Sequence, residues 1–145
     1  MSGGMRDPMR AAGKLDMALS RHSFSTLEYK TMSHQIGRVA VLGAGVMGSG
    51  IAAHLANAGI ESLLFDITQE AAAAGVKETV TLKPAPLMDK ASSALITPCN
   101  YDDHADQLAS CDWIVEVVIE RLDIKQKVYQ WVAANRKPGS IVSSN

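Results

Sequence analysis

The sequence predicts an α/β fold built on a doubly wound parallel sheet, and three observations carry that prediction. From Gly37 onward, short apolar runs alternate with helical periodicities. A glycine-rich turn joins the first of these runs to the first helix, and the strongest run, Asp112 to Ile119, is rich in Val and Ile. Strands buried on both faces of a parallel sheet read as such apolar runs, and the helices between them form the crossovers.

The elements follow in order. Arg38-Val39-Ala40-Val41-Leu42 is a short apolar run halted by Gly43, as expected of a buried parallel strand. Val46 to Ala58 places Met47, Ile51, Leu55 and Ala58 at helical spacing, with Gly59 as the C-terminal stop. Ser62-Leu63-Leu64-Phe65-Asp66 reads as the second strand and completes a βαβ unit of about thirty residues. Gln69 to Val80 is alanine-rich and predicted helical. Lys83-Pro84-Ala85-Pro86 breaks it, because proline lacks an N–H donor and restricts the residue before it. Ala94-Leu95-Ile96 is read as a short third strand, and Asp103 to Ala109 as one or two helical turns. Asp112 to Ile119 is the clearest strand of the chain. Leu122 to Asn135 sets Leu122, Lys125, Val128, Tyr129 and Val132 three and four apart, hence a helix. Pro138-Gly139 then turns the chain into Ser140-Ile141-Val142-Ser143, the fifth strand. There are no internal repeats and no low-complexity tract.

Composition narrows the function classes. A chain of 145 residues is long enough for one hydrophobic core. A formal net charge of -1 supplies no basic field for nucleic acid. The apolar run Ile114 to Ile119 is interrupted by Glu116 and is too short to span a bilayer. Cys99 and Cys111 form no metal or redox motif and read as reduced structural thiols of a cytoplasmic protein. Residues 1–35 mix Gly, Ser, Met and scattered Arg and Lys without sustained periodicity, and are read as a flexible tail. Arg6, Arg10, Lys14 and Arg21 near Ser20, Ser23 and Ser25 keep a mitochondrial transit peptide, and so a matrix location, as the alternative. Asp7, Asp16 and Glu28 count against it. An early start codon ahead of Met32 is a further reading. Residues 36–145 form the expected domain. It is expected to be incomplete, since Asn145 follows the last strand where catalytic loops of such sheets begin.

Gly43-Ala44-Gly45-Val46-Met47-Gly48 is a G-x-G-x-x-G loop between strand and helix, the Rossmann-type dinucleotide fingerprint. Gly43 permits the sharp turn, Gly45 lets a pyrophosphate approach the backbone, and Gly48 lets the helix pack closely on the sheet. Unpaired N–H groups and the helix dipole would receive the diphosphate. A structural βα turn is the bland alternative. Asp66 ends the second strand about twenty residues on, where its carboxylate can accept the adenosine ribose hydroxyls. Its charge would repel a 2′-phosphate, and no Arg or Lys follows closely, so NAD is expected rather than NADP. Met47 follows the glycines closely enough to touch the dinucleotide, although core packing is its default role. Glu120 is read as closing the fourth strand and pointing into the crevice. Lys125, five residues on, has the wrong spacing for a routine helical ion pair. An exposed turn Glu and a solvated Lys are the alternative for this pair. Glu116, among Val and Ile, needs a partner. His34, His54 and His104 lack metal-ligand spacing, and Trp113 and Trp131 read as core or boundary residues.

These residues also carry a family resemblance. Ile36 to Ala52, with the glycine loop at its centre, is similar to the N-terminal signature of the L-3-hydroxyacyl-CoA dehydrogenases. Cys111 to Lys125 resembles the same family's V-E-x-x-x-E-x-x-x-x-K stretch, and Ser143-Ser144-Asn145 the start of its S-N-T-S loop. Lys83-Pro84-Ala85-Pro86 and Leu95-Ile96-Thr97-Pro98 further resemble its large multifunctional members, in which an enoyl-CoA hydratase-like region follows the dehydrogenase. The resemblance implies that Gly43, Gly45, Val46, Met47 and Gly48 line the dinucleotide and that Asp66 holds the adenosine ribose. Val118, Ile119, Glu120 and Lys125 would lie along the cofactor. It further implies oxidation of the 3-hydroxyl of a fatty acyl-CoA in β-oxidation, with hydride passing to NAD. The family's histidine base, its substrate-contacting serine and the helical domain completing the acyl-CoA site correspond to sequence beyond Asn145. A fragment inactive alone is therefore expected, with room for a homodimer of the full-length parent. The family's lysine-rich arm that touches CoA looks shorter here and broken by prolines, leaving Lys77 and Lys83 as candidates only. Two rival readings stand beside this one: another dehydrogenase of 3-hydroxyacid or 6-phosphogluconate type, and a non-catalytic NAD-binding domain.

Overall fold

A computed structural model of the protein describes residues 35–145. The tail and transit-peptide readings, and His34, lie outside the described residues. The chain runs β1 (Arg38–Leu42), α1 (Val46–Asn57), β2 (Glu61–Asp66), α2 (Gln69–Thr81), a 3-10 turn (Lys90–Leu95) and β3 (Ile96–Asn100). A second 3-10 turn (Ala105–Ser110), β4 (Trp113–Glu116), α3 (Leu122–Asn135) and β5 (Ile141–Ser144) complete it. The five strands are ordered β3-β2-β1-β4-β5 and every neighbouring pair is parallel. This is the Rossmann-type arrangement that the sequence predicts. Strand order reverses between β1 and β4, and that switch point opens the crevice where such sheets bind ligands.

Side-chain alternation along β1 divides the core in two. Val39 and Val41 face α1 and α2, packing with Ala52, Ala53, Leu55 and Leu64. Ala40 and Leu42 face the opposite side, with Leu63, Phe65, Ile114 and the α3 residues Val128 and Val132. Each fully buried Leu, Ile or Phe contributes about 1.5–3 kcal/mol. Helix α1 approaches the sheet closely because its buried face is made of small residues, including Gly48, Ser49, Ala52, Ala53 and Ala56. Thr68 begins α2 by accepting a hydrogen bond from the Ala71 N–H at 3.1 Å.

Strands β2 and β5 fall within one residue of expectation, whereas β3 and β4 depart further. Ala94 and Leu95 belong to a 3-10 turn that Asp89 caps, and β3 instead runs from Ile96 through Pro98 to Asn100. Proline is tolerated there because β3 is an edge strand, where a missing donor breaks no ladder. Strand β4 ends at Glu116 rather than Ile119. The Val117 N–H still reaches the Leu42 carbonyl at 3.0 Å. The Glu116 side chain then accepts the Val118 N–H at 2.8 Å, which turns the chain out of the sheet.

Candidate functional site

The glycine loop lies at the switch point, at the carboxyl end of β1. Gly43 adopts φ +113°, and a Cβ there would sit 2.9 Å from the Val117 carbonyl oxygen. Gly48 admits nothing larger than hydrogen, since a Cβ would fall 1.7 Å from the Gly43 carbonyl oxygen. Gly45 is different: nothing lies within 4 Å of where its Cβ would be, so the backbone faces open space. It is also the N-cap of α1, with no side-chain cap and no acidic residue in the first turn. The first N–H groups of a helix lack intrahelical partners. At α1 no side chain caps them, and the positive end of the helix dipole lies at the same loop. An exposed, uncapped, glycine-lined helix start fits a diphosphate, which is the test that the cofactor's phosphates must pass.

The loop is braced from behind. The Ser49 hydroxyl donates to the Ala44 carbonyl at 3.1 Å. Gly75 of α2 lies so close that a Cβ would be 2.8 Å from that same carbonyl oxygen. The Gly75 contact is not apparent from the glycine pattern, which is local, because it joins α2 to the loop between β1 and α1.

Asp66 ends β2 as expected, half-buried, and its first task is to hold the loop. Its Oδ2 accepts the Ala44 N–H at 2.8 Å and its Oδ1 the Ile67 N–H at 2.7 Å. A carboxylate offers about four lone-pair sites, so both oxygens keep capacity for ribose hydroxyls. Val46, Met47 and Ile119 are large apolar side chains left 76%, 57% and 61% exposed. Ile67, next to Asp66, is 77% exposed and was not among the expected site residues. Val118 is half-buried and packs against the α3-side core.

Beyond β4 the carboxylates divide their work differently from the expectation. The strand ends on Glu116, and Glu120 lies in the following loop with its side chain 80% exposed. Glu120 and Lys125 do pair, Nζ to Oε1 at 3.0 Å. Helical spacing does not govern them because Glu120 precedes the N-cap residue Arg121 and so lies outside α3. Lys125 is only 19% exposed and also stands 3.5 Å from a Glu116 oxygen. Its pKa is raised, first by the hydrogen bond to Glu120 and then by the charge of Glu116, against an opposing effect of burial. The partner that Glu116 required is thus a group of donors: Val118 N–H, the Ser144 and Tyr129 hydroxyls and Lys125.

The remaining polar and aromatic residues play other parts. His104 Nδ1 accepts the Asn100 N–H at 3.1 Å, a turn-stabilising role. His54 lines a largely apolar hollow of about 650 Å³ with Met47, Ile51, Trp113 and Ser143. Trp131 packs edge-on against Phe65 and Tyr101, and its indole N–H donates to the Tyr101 carbonyl. Cys99 and Cys111 are buried and unpaired, and burial pushes the Cys99 thiol up to about 11, away from reactive thiolate character. Among the described residues no cluster of His, Cys, Asp or Glu could hold a metal ion. No described helix is long and apolar enough to cross a membrane.

Known proteins resemble this chain along the same segment. Residues 38–145 match the family model described as 3-hydroxyacyl-CoA dehydrogenase, NAD binding domain. A probable 3-hydroxyacyl-CoA dehydrogenase of Bacillus subtilis is 45% identical over 135 residues, covering 79% of this chain and 17% of that protein. A putative fatty acid oxidation complex trifunctional enzyme of Rickettsia felis is 34% identical over 121 residues, again covering 79% of this chain and 17% of the relative. Among solved structures, the (S)-3-hydroxybutyryl-CoA dehydrogenase of Ralstonia eutropha superposes with a TM-score of 0.67 at 30% identity. It covers 77% of this chain and 41% of that one. The chain therefore spans well under half the length of these relatives. With the glycine loop, Asp66 and the Glu116–Lys125 segment all inside the matched region, the chain belongs to the 3-hydroxyacyl-CoA dehydrogenase family, and residues 38–145 are its NAD-binding domain.

Proposed function

We propose that this chain is the NAD-binding portion of an enzyme that oxidises L-3-hydroxyacyl-CoA to 3-ketoacyl-CoA in fatty-acid β-oxidation. The uncapped start of α1, facing open space at Gly45, carries the reading. NAD supplies the hydride acceptor when bound. Gly43, Gly45, Val46, Met47 and Gly48 form the cradle for its diphosphate, and Asp66 receives the adenosine ribose. Val118, Ile119, Glu120 and Lys125 border the same crevice from the β4 side. Preference for NAD over NADP rests on Asp66 and on Glu70 in the first turn of α2, two negative charges near the end of β2. The reaction also needs a base for the 3-hydroxyl proton. His104 is committed to a backbone N–H and His54 faces an apolar hollow. We therefore assign the base, and most of the acyl-CoA site, to the parts of the relatives that this chain does not span. The buried thiols suit a reducing, cytoplasmic compartment.

Calorimetric titration with NAD and NADP tests the cofactor assignment. NAD is expected to bind more tightly, and Asp66→Ala to weaken NAD while narrowing the preference. Equal affinities, or unchanged NAD binding in Asp66→Ala, would remove Asp66 from the site.

A further inference from the structure

Glu116 is the one fully buried carboxylate among the described residues, and the cofactor cradle gives it no task. A charge in an apolar sheet persists only where donors surround it. Its donors here come from three separate segments. The Val118 N–H reaches Oε1 at 2.8 Å, from the loop after β4. The Ser144 hydroxyl reaches Oε2 at 2.7 Å, from the last residue of β5. From α3, the Tyr129 hydroxyl lies 3.4 Å and the Lys125 ammonium 3.5 Å from the same oxygen. The Glu116 backbone carbonyl also accepts the Asn145 N–H at 3.0 Å.

We propose that Glu116 is a positioning residue for cofactor binding, holding the Lys125 ammonium and the Val118–Glu120 loop in place at the mouth of the crevice. The inference rests on the cofactor site proposed above. Glu120 cannot do this alone, because its side chain is 80% exposed and an exposed ion pair fixes geometry weakly. Glu116 is the immobile partner, 1% exposed at its side chain. An ammonium has three donors. With two directed to Glu116 and Glu120, the third is left for an acceptor on the bound dinucleotide. The same carboxylate ties this arrangement to Ser144 and Asn145, so a shift at the end of β5 is transmitted to Lys125.

The test is a double-mutant cycle on NAD affinity in the 145-residue chain, with thermal melts run in parallel. Glu116→Gln keeps shape and hydrogen-bonding capacity but removes the charge facing Lys125. Glu116→Gln and Lys125→Met are each expected to weaken NAD binding about tenfold, the scale of one charge-assisted hydrogen bond, and the double variant no further. Losses that multiply in the double variant, or Glu116→Gln binding NAD like the parent, would overturn the proposal. Should Glu116→Gln not fold, Ser144→Ala takes its place in the cycle, with the same non-additivity expected and simple additivity or unchanged affinity refuting it. A folded parent chain that binds no NAD instead refutes the cofactor site, and this inference with it.

Discussion

Replacing Gly48 by alanine adds one methyl group where the structure has no room for it. The added Cβ would lie 1.7 Å from the Gly43 carbonyl oxygen, 2.9 Å from the Gly43 carbonyl carbon and 3.2 Å from a Val117 methyl. No rotamer relieves this, because Cβ is fixed by the backbone and the obstacle is backbone too. The start of α1 must move away by roughly 1.5 Å, enough to reach ordinary non-bonded separation. Overpacking of this kind costs about 1–3 kcal/mol, and a backbone clash belongs at the upper end. Alanine recovers about 1 kcal/mol through its helix propensity. The net loss is therefore about 2 kcal/mol, or a melting temperature lower by roughly 10 °C for a domain of this size. Urea unfolding followed by Trp113 and Trp131 fluorescence measures it, together with an NAD titration, since the displaced helix start is the proposed phosphate site. Gly50→Ala is the internal control. It lies in the same helix with nothing within 4 Å of its Cβ, so it should be neutral or stabilising by up to about 1 kcal/mol. If the two variants unfold at the same urea concentration, the close approach of α1 to β1 is not what Gly48 provides.

The remaining predictions separate binding from stability. Gly45→Ala places its methyl in open space, so the fold should lose no more than about 1 kcal/mol, the usual range for an N-cap change. NAD affinity should nonetheless fall at least tenfold, because the methyl occupies the phosphate approach; calorimetry that finds undiminished binding would move the diphosphate elsewhere. Asp112 clamps the start of β1, accepting from the Lys137 ammonium and from the Gly37 and Arg38 N–H groups. Those donors, Lys137 foremost, hold its carboxyl at about 2. A carboxyl lowered by folding stabilises the native state above its ordinary pKa of about 4 and loses that contribution as pH falls towards 2. Asp112→Asn should accordingly flatten the acid side of the stability profile between about pH 4 and 2. An unchanged profile would show that the clamp contributes nothing.

What could be read from the residues alone was local. The β1–loop–α1–β2 unit is encoded by apolar runs and glycines within a short stretch, so its fold and proposed ligand follow from spacing. The βαβ alternation likewise specifies a parallel sheet, because short connections through helices allow little else. The misplaced boundaries and the site's inner wiring depend on partners far apart in the chain. Pro98 argues against a strand until β3 is known to lie at the edge of the sheet, which is a fact of strand order. Asp66 and Ala44 meet across 22 residues, which makes the ribose candidate also the brace of the phosphate loop. Glu116 meets Ser144 across 28 residues, and only the β4–β5 register brings them side by side. Glu120 and Lys125 look mismatched because helical spacing says nothing of a residue ahead of the helix, although the helix itself reads from Leu122 to Asn135, as it stands. Periodicity reports which face of an element is buried; which donors await a charge on that face is decided by tertiary packing.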